Sequence, residues 1–403
     1  MKYITDLVIF ELWWLYDDQY SDDDLLEAAY HLAIDDIKKS IEKNNTNCIV
    51  GLMLFDGFLY KNTEQFYNWL RILERSAKNL GIKKLFLMPG QCQNYQTELN
   101  SRELDFEILK FHWPIQECYN NYNSFNIASW NADTNKFLFL GGVPSRKNRI
   151  GTLSKLYEND ILHNHGVWSF FPPWTEHDKQ WCRNYLSHYT EDQYIKFIDE
   201  CKNDLDGKYI EVLKYSTMNG KEILESKVLE QPLWLNPYMI DNTYFQKTSI
   251  SIVSDGWPDS KSKDYKFFTE KLWKAVINNH PFLLSDHPDR FAYAKELGLK
   301  TFDEYFLIPD YGYMEFKNQT NALIINLKHF LNTAKSKENK IRDDIEHNKQ
   351  VFLDLYKANE KIINSLKTDY GLLEESYDKY IGSGKLAVYY RVPKFDDIPK
   401  HRE

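Results

Sequence analysis

The chain has 403 residues, 43% of them hydrophobic and 16% aromatic, which excludes disorder on a domain scale and suits two domains of about 200 residues each better than one core. A formal net charge of -9 argues against non-specific adhesion to nucleic acid, although a local basic cleft inside an acidic protein stays open. The five cysteines (Cys48, Cys92, Cys118, Cys182 and Cys201) are scattered without a CxxC pair, so neither a disulfide framework nor a zinc site is expected, and a reducing cytoplasm is the expected compartment.

Residues 4–12 alternate and β-branch like a first core strand, and their apolar run is too short to span a bilayer. No other window approaches the roughly 18 consecutive apolar residues of a membrane helix. Ser21 caps a long amphipathic helix with Leu25, Ala29, Leu32, Ala33 and Ile37 on its buried side, and Asp22, Asp23 and Asp24 read as partners of its dipole rather than as a metal site. Asn47 to Phe55 is a buried strand, Thr63 to Leu80 a helix, and Lys84 to Met88 a second buried strand. This β-α-β order makes the N-terminal part Rossmann-like. Asp56 stands just past a strand end, a position that fits either a binding crevice or the cap of an Asp-Gly turn. Phe106 to Trp113 is strand-like and leads into the polar loop CYNNYNSFN.

The segment Lys136 to Leu140 reads as a strand, followed by Gly141-Gly142, the basic stretch Arg146-Lys147-Asn148-Arg149 and a helix from Ile150 to Tyr157. A strand, a glycine turn and a basic helix start make a phosphate cradle, because backbone N–H groups and guanidinium forks both favour a pyrophosphate. A solvated basic patch is the alternative. His163 and His165 read as neighbours on one side of a strand, preferred as core or rim residues because two histidines do not complete a metal site.

A new unit begins near Leu233, with a buried strand from Ser249 to Val253 that ends in Ser254-Asp255-Gly256. Thr269-Glu270-Lys271 then stands at the start of an amphipathic helix carrying Leu272, Trp273, Val276 and Ile277. A hydroxyl, a carboxylate and an ammonium at such an end suit a ribose and an anion, and a plain helix cap is the alternative. The strand Pro281 to Leu284, a helix from Pro288 to Leu297, the stop at Gly298 and a return through Lys300-Thr301-Phe302 complete half of a doubly wound sheet. The helical patterns 321–331 and 342–366 read as flanking helices, and the tail KFDDIPKHRE is polar. The expected division is an acceptor lobe over 1–228, a nucleotide-sugar lobe over 229–320, and flanking helices with the tail over 321–403.

The run FFTEKLWKAVINNHPFLL resembles the donor-binding signature of the α-1,3-fucosyltransferases, roughly (Y/F)VTEKLWNALLAGxVPV. The wider SIVSDGW…FFTEKLWKAV…HPFLL…LGLKTFDEYF is similar to the C-terminal lobe of glycosyltransferase-like proteins of phages and bacteria. The resemblance implies an α/β protein of GT-B-like fold, two Rossmann-like lobes facing a cleft, with a nucleotide-sugar co-substrate, no cofactor and no metal. It places Glu270 on the donor ribose, Lys271 on the diphosphate and Thr269 at the helix start, with Arg149 or Arg146 completing the charge and Asp255 at the adjoining strand end. The base that activates the acceptor would come from the N-terminal lobe, where Asp56 and Glu11 are candidates by position. The family's Glu-Asn at the strand end is Asp255-Gly256 here, and Pro281 does not restore Val-Pro-Val, so sugar and base are not specified. The expected activity is an inverting transfer of a sugar to a hydroxyl of a glycan, a lipid-linked sugar or lipopolysaccharide, or a modified DNA base. A GT-B-shaped nucleotide- or protein-binding module without catalysis is the alternative.

Overall fold

A computed structural model describes residues 3–10, 22–53, 63–89, 95–120, 129–142, 147–170, 176–203, 243–255 and 268–382. These fall into two compact units, the first holding described residues 3–120 and 354–382, the second 129–203 and 243–353. Each unit is an α/β layer structure on its own four-stranded, wholly parallel sheet.

In the first unit the elements run β1 (Thr5–Ile9), α1 (Asp22–Asn44), β2 (Cys48–Met53), α2 (Thr63–Asn79), β3 (Lys84–Pro89), α3 (Tyr95–Ser101), β4 (Phe106–Ile108) and α4 (Trp113–Asn120). The strands lie in the order β1-β2-β3-β4. Successive side chains of a strand point to opposite faces. Val8, Ile49, Leu85 and Leu87 accordingly pack with Ala33, Ile37, Leu70 and Leu73 of α1 and α2. Leu7, Val50, Phe86 and Met88 face Trp113 and the C-terminal residues Ile363, Leu366 and Ile381 instead. Gly51 is required by a close approach, since a Cβ there would stand 2.0 Å from the Phe10 ring. The C-terminal segment is sewn to β1 by Thr5 N–H donating to Gly371 O at 3.1 Å and Leu373 N–H donating to Thr5 O at 3.0 Å.

The second unit begins with β5 (Phe137–Gly142), α5 (Lys147–Glu158), α6 (Ile161–His165), β6 (Gly166–Phe170), α7 (Glu176–Tyr185), α8 (Glu191–Cys201) and α9 (Thr243–Gln246). It continues with β7 (Ile250–Val253), α10 (Glu270–Ile277), β8 (Phe282–Leu284), α11 (Pro288–Glu296) and α12 (Phe316–Thr333). A long helix, Glu338–Asp369, then supplies residues to both units. The strand order is β6-β5-β7-β8, so the chain winds outward from β5 in one direction and resumes at β7 in the other. That reversal makes the carboxyl ends of β5 and β7 a topological switch point, where open α/β sheets place their ligands.

Four expectations change. Described residues 129–203 group with the second unit rather than with an acceptor lobe ending at 228, because β5 hydrogen-bonds to β7 and not to the first sheet. His163 and His165 lie on α6, where a 3.6-residue period replaces the alternation read from a short run; His165 Nδ1 is 3.0 Å from Asn135 O. Trp113 opens α4, so β4 ends at Ile108 and Cys118 to Asn120 are helical rather than loop. Residues 300–302 form no strand; Phe302 has φ +62° and caps the 3-10 turn Asp303–Tyr305.

Candidate functional site

The start of α10 is built from Thr269 outward. Thr269 is the N-cap, extended at φ -78° and ψ -176°, and its hydroxyl accepts from Lys271 N–H at 3.4 Å. Its own N–H and O–H are donors, and both go to Asp255, the N–H to Oδ2 at 3.0 Å and the O–H to Oδ1. The exit of β7 and the entry of α10 are therefore joined across residues 256–267, which lie outside the described set.

Beyond the cap, Glu270 and Lys271 form an ion pair at 2.8 Å with side chains 16% and 19% exposed. Burial would raise the Glu270 carboxyl, but the charges of Lys271 and Lys274, the Lys271 hydrogen bond and the residue's own N–H at the helix end hold it down at about 2. Glu270 is thus an anion, an acceptor only, throughout the physiological range. The apolar side of α10 is what fixes this end in place: Leu272, Trp273, Val276 and Ile277 are all buried.

Arg149 reaches the same spot from α5, the helix that follows β5. Its Nη2 donates to Asp255 O at 3.0 Å and its Nε to Ser254 O at 3.4 Å. The neighbouring Asn148 donates to Ser285 O at 2.8 Å, and Thr152 Oγ1 lies 2.6 Å from Ser285 Oγ. Arg149 and Thr269, the cap of the Thr269-Glu270-Lys271 cluster, therefore both bond to Asp255 at the switch point. They share one unit; the expectation that the arginine faces the cluster from another lobe does not hold, for the strand-pairing reason given above. Asp255 is beside them, but its carboxylate is committed to Thr269 and its side chain has no exposed surface. Arg146, Asp56 and Glu11 lie outside the described residues.

Behind the cluster is a buried charged group that no motif announced. Asp286 follows β8 as Asp255 follows β7, and Arg290 of α11 lies 2.6 Å from Asp286 Oδ2 and 3.6 Å from Asp255 Oδ2. Burial raises the Asp286 carboxyl to about 6, the Arg290 charge opposing and the Asp255 charge reinforcing the shift. His287 N–H and Asp255 N–H both donate to this carboxylate, at 2.8 and 3.3 Å, and Gln319 donates to Asp286 O at 2.8 Å. A sequence signal existed, a carboxylate directly after a buried strand with an arginine four residues on, the spacing of helical ion pairs.

The remaining buried histidine of this unit is structural. His280 bridges Ser251 Oγ through Nδ1 at 2.8 Å and Thr248 O through Nε2 at 2.8 Å, and burial lowers it to about 4. The carbonyl must accept, so Nε2 carries the proton and Nδ1 accepts from the serine. Among the described residues no group of three or more His, Cys, Asp or Glu side chains is arranged to hold a metal ion, and no helix is long and apolar enough to cross a membrane.

No protein-family model and no curated protein sequence matches the chain. Solved structures that overlap its fold include three trehalose-phosphate synthases. The UDP-forming α,α-trehalose-phosphate synthase of Burkholderia vietnamiensis is 10% identical, with a TM-score of 0.43 over 89% of this chain and 84% of that one. The corresponding enzyme of Burkholderia xenovorans is 10% identical, with a TM-score of 0.41 over 88% and 80%. The α,α-trehalose 6-phosphate synthase of Burkholderia multivorans is 10% identical, with a TM-score of 0.39 over 89% and 80%.

Proposed function

We propose that the protein is a glycosyltransferase of GT-B type that moves a sugar from a nucleotide-sugar donor to an acceptor hydroxyl, with the donor held by the second unit. The observation that carries the reading is the joint attachment of Arg149 and of Thr269, the cap before Glu270 and Lys271, to Asp255 just past the end of β7. A departing nucleoside diphosphate gathers negative charge in the transition state, and fixed cations with a helix N-terminus stabilise it where it develops. Lys271 supplies an ammonium with three donors, of which the Glu270 bond occupies one. Arg149 supplies a guanidinium anchored to two backbone carbonyls. Glu270, an ionised acceptor at the same helix end, suits the hydroxyls of a ribose. The motif resemblance assigns the same roles to Glu270 and Lys271.

The acceptor is a hydroxyl of a glycan, a lipid-linked sugar or a modified DNA base, and Asp56 or Glu11 is the candidate for the general base that deprotonates it. The anomeric carbon is inverted in one displacement, the acceptor oxygen bonding as the diphosphate oxygen leaves. The experiment is to incubate the protein with UDP-, GDP-, ADP- and dTDP-sugars and follow nucleoside diphosphate release with and without acceptors. One donor is expected to turn over and Lys271→Ala to abolish its turnover. If no donor binds or reacts and Lys271→Ala and Glu270→Ala leave every property unchanged, the enzyme reading fails. Donor binding without turnover towards any acceptor would leave a nucleotide-binding module.

A further inference from the structure

The polar groups of Asp255 are all in use. Its N–H donates to Asp286 Oδ2 at 3.3 Å, its carbonyl accepts Arg149 Nη2 at 3.0 Å, Oδ2 accepts Thr269 N–H at 3.0 Å, and Oδ1 accepts the Thr269 hydroxyl. The residue sits between α5 and α10, the helices that follow β5 and β7, and so touches both cationic elements of the candidate site. A fully enclosed carboxylate, with each oxygen taken by a Thr269 donor, is not presented to a ribose or to an acceptor hydroxyl. Beside a diphosphate its charge would repel, were it not covered by Thr269 and faced by Arg290 at 3.6 Å.

We propose that Asp255 is a positioning residue that locks the start of α10 through its carboxylate and Arg149 through its backbone carbonyl, so that one strand end holds both halves of the anion site in register. That the held groups receive a donor diphosphate rests on the reading above; the lock itself does not. A carboxylate is needed because it accepts from both Thr269 donors at once, whereas an amide offers one oxygen and turns an NH2 towards the other donor. The charged and titratable groups facing Asp255 are Arg149 on α5, Asp286 after β8 and Arg290 on α11. Thr269 passes the order on, because the oxygen that donates to Asp255 also accepts Lys271 N–H.

The test compares Asp255→Asn, Thr269→Val and Thr269→Ser by amide hydrogen exchange of the ligand-free full-length protein, read on peptides covering 268–277, with peptides from β7, β8 and the first unit as folding controls. Asp255→Asn and Thr269→Val are expected to speed exchange at 269–271 at least tenfold with the controls unchanged, and Thr269→Ser, which keeps the hydroxyl, to stay within about twofold of wild type. Should Asp255→Asn fail to fold, the Thr269→Val and Thr269→Ser pair decides, since it leaves the buried charges intact. Unchanged exchange at 269–271 in Thr269→Val overturns the proposal. Binding of UDP, GDP, ADP and CDP is then measured on the same proteins. Accelerated exchange together with no nucleotide binding even by wild type would uphold the lock and sink the glycosyltransferase reading, so the two failures are distinguishable.

Discussion

Replacing Glu270 by Gln keeps the shape of the side chain and removes its charge from the start of α10. The carboxyl stands at about 2 in the folded protein against an ordinary 4.5, a difference of roughly 2.5 pKa units, or about 3 kcal/mol of preference for the ionised form. Part of that returns as ordinary solvation, because the pair it makes with Lys271 is 16–19% exposed, so a net loss of about 1–2 kcal/mol at pH 7 is expected. The sign follows from linkage: a carboxyl depressed on folding contributes stability that is complete above its unfolded value and is lost as pH falls through its folded value. The gap between wild type and Glu270→Gln should therefore be full at pH 7, shrink to less than half by pH 3, and close near pH 2. The assay is the stability of the α10 segment, measured by hydrogen exchange at 268–277 in urea, together with the global unfolding midpoint at pH 7. Equal stability of the two proteins at pH 7, or a gap that does not shrink on acidification, would refute the electrostatic account of this helix end.

The buried Asp286 titrates in the opposite sense. Its carboxyl is raised to about 6, so unfolding the second unit releases a proton between about pH 4 and 6, and Asp286→Asn should remove up to about 1.4 kcal/mol per pH unit of downward slope in stability across that window. Retention of the full slope in the variant, measured by urea titration at several pH values, would count against the assignment. His280 is held neutral down to about 4 by burial. Its contribution should be intact above about pH 6.5 and fall by about 3 kcal/mol as pH drops to 4, because the unfolded imidazole takes up the proton that the folded one refuses. A two-dimensional NMR titration that protonated His280 near pH 6.5 in the folded protein would contradict this.

The elements that could be read from one sequence are those whose signal is local. β7, α10 and β8 follow from the buried run 249–253, the cap Thr269 and the run 281–284, and β5 with α5 follows from a strand, two glycines and a basic helix start. Their partnership could not be read, because hydrophobic periodicity says which face of a strand is buried and nothing about which strand lies next to it. That gap puts Arg149 in the first lobe by expectation, whereas it belongs to the second unit. Asp255 stands out in the sequence by its position at a strand end, a place for a ligand group, whereas its carboxylate is taken by Thr269. The residues that spend its carboxylate and its amide lie 14 and 31 positions away, and such closures are invisible until the helices are placed. Arg290 went unnoticed because an arginine in the first turn of an amphipathic helix ordinarily faces water, whereas here α11 turns it wholly inward.

The central claim, that the start of α10 and Arg149 form a diphosphate site, is tested most directly by calorimetric titration of UDP, GDP, ADP and CDP into wild-type protein and Lys271→Ala. The account predicts that at least one nucleotide binds the wild type and that the variant binds it at least tenfold more weakly, the loss of one charge-assisted hydrogen bond of about 1.5–3 kcal/mol. Absence of binding by the wild type, or equal affinity in the variant, would contradict it.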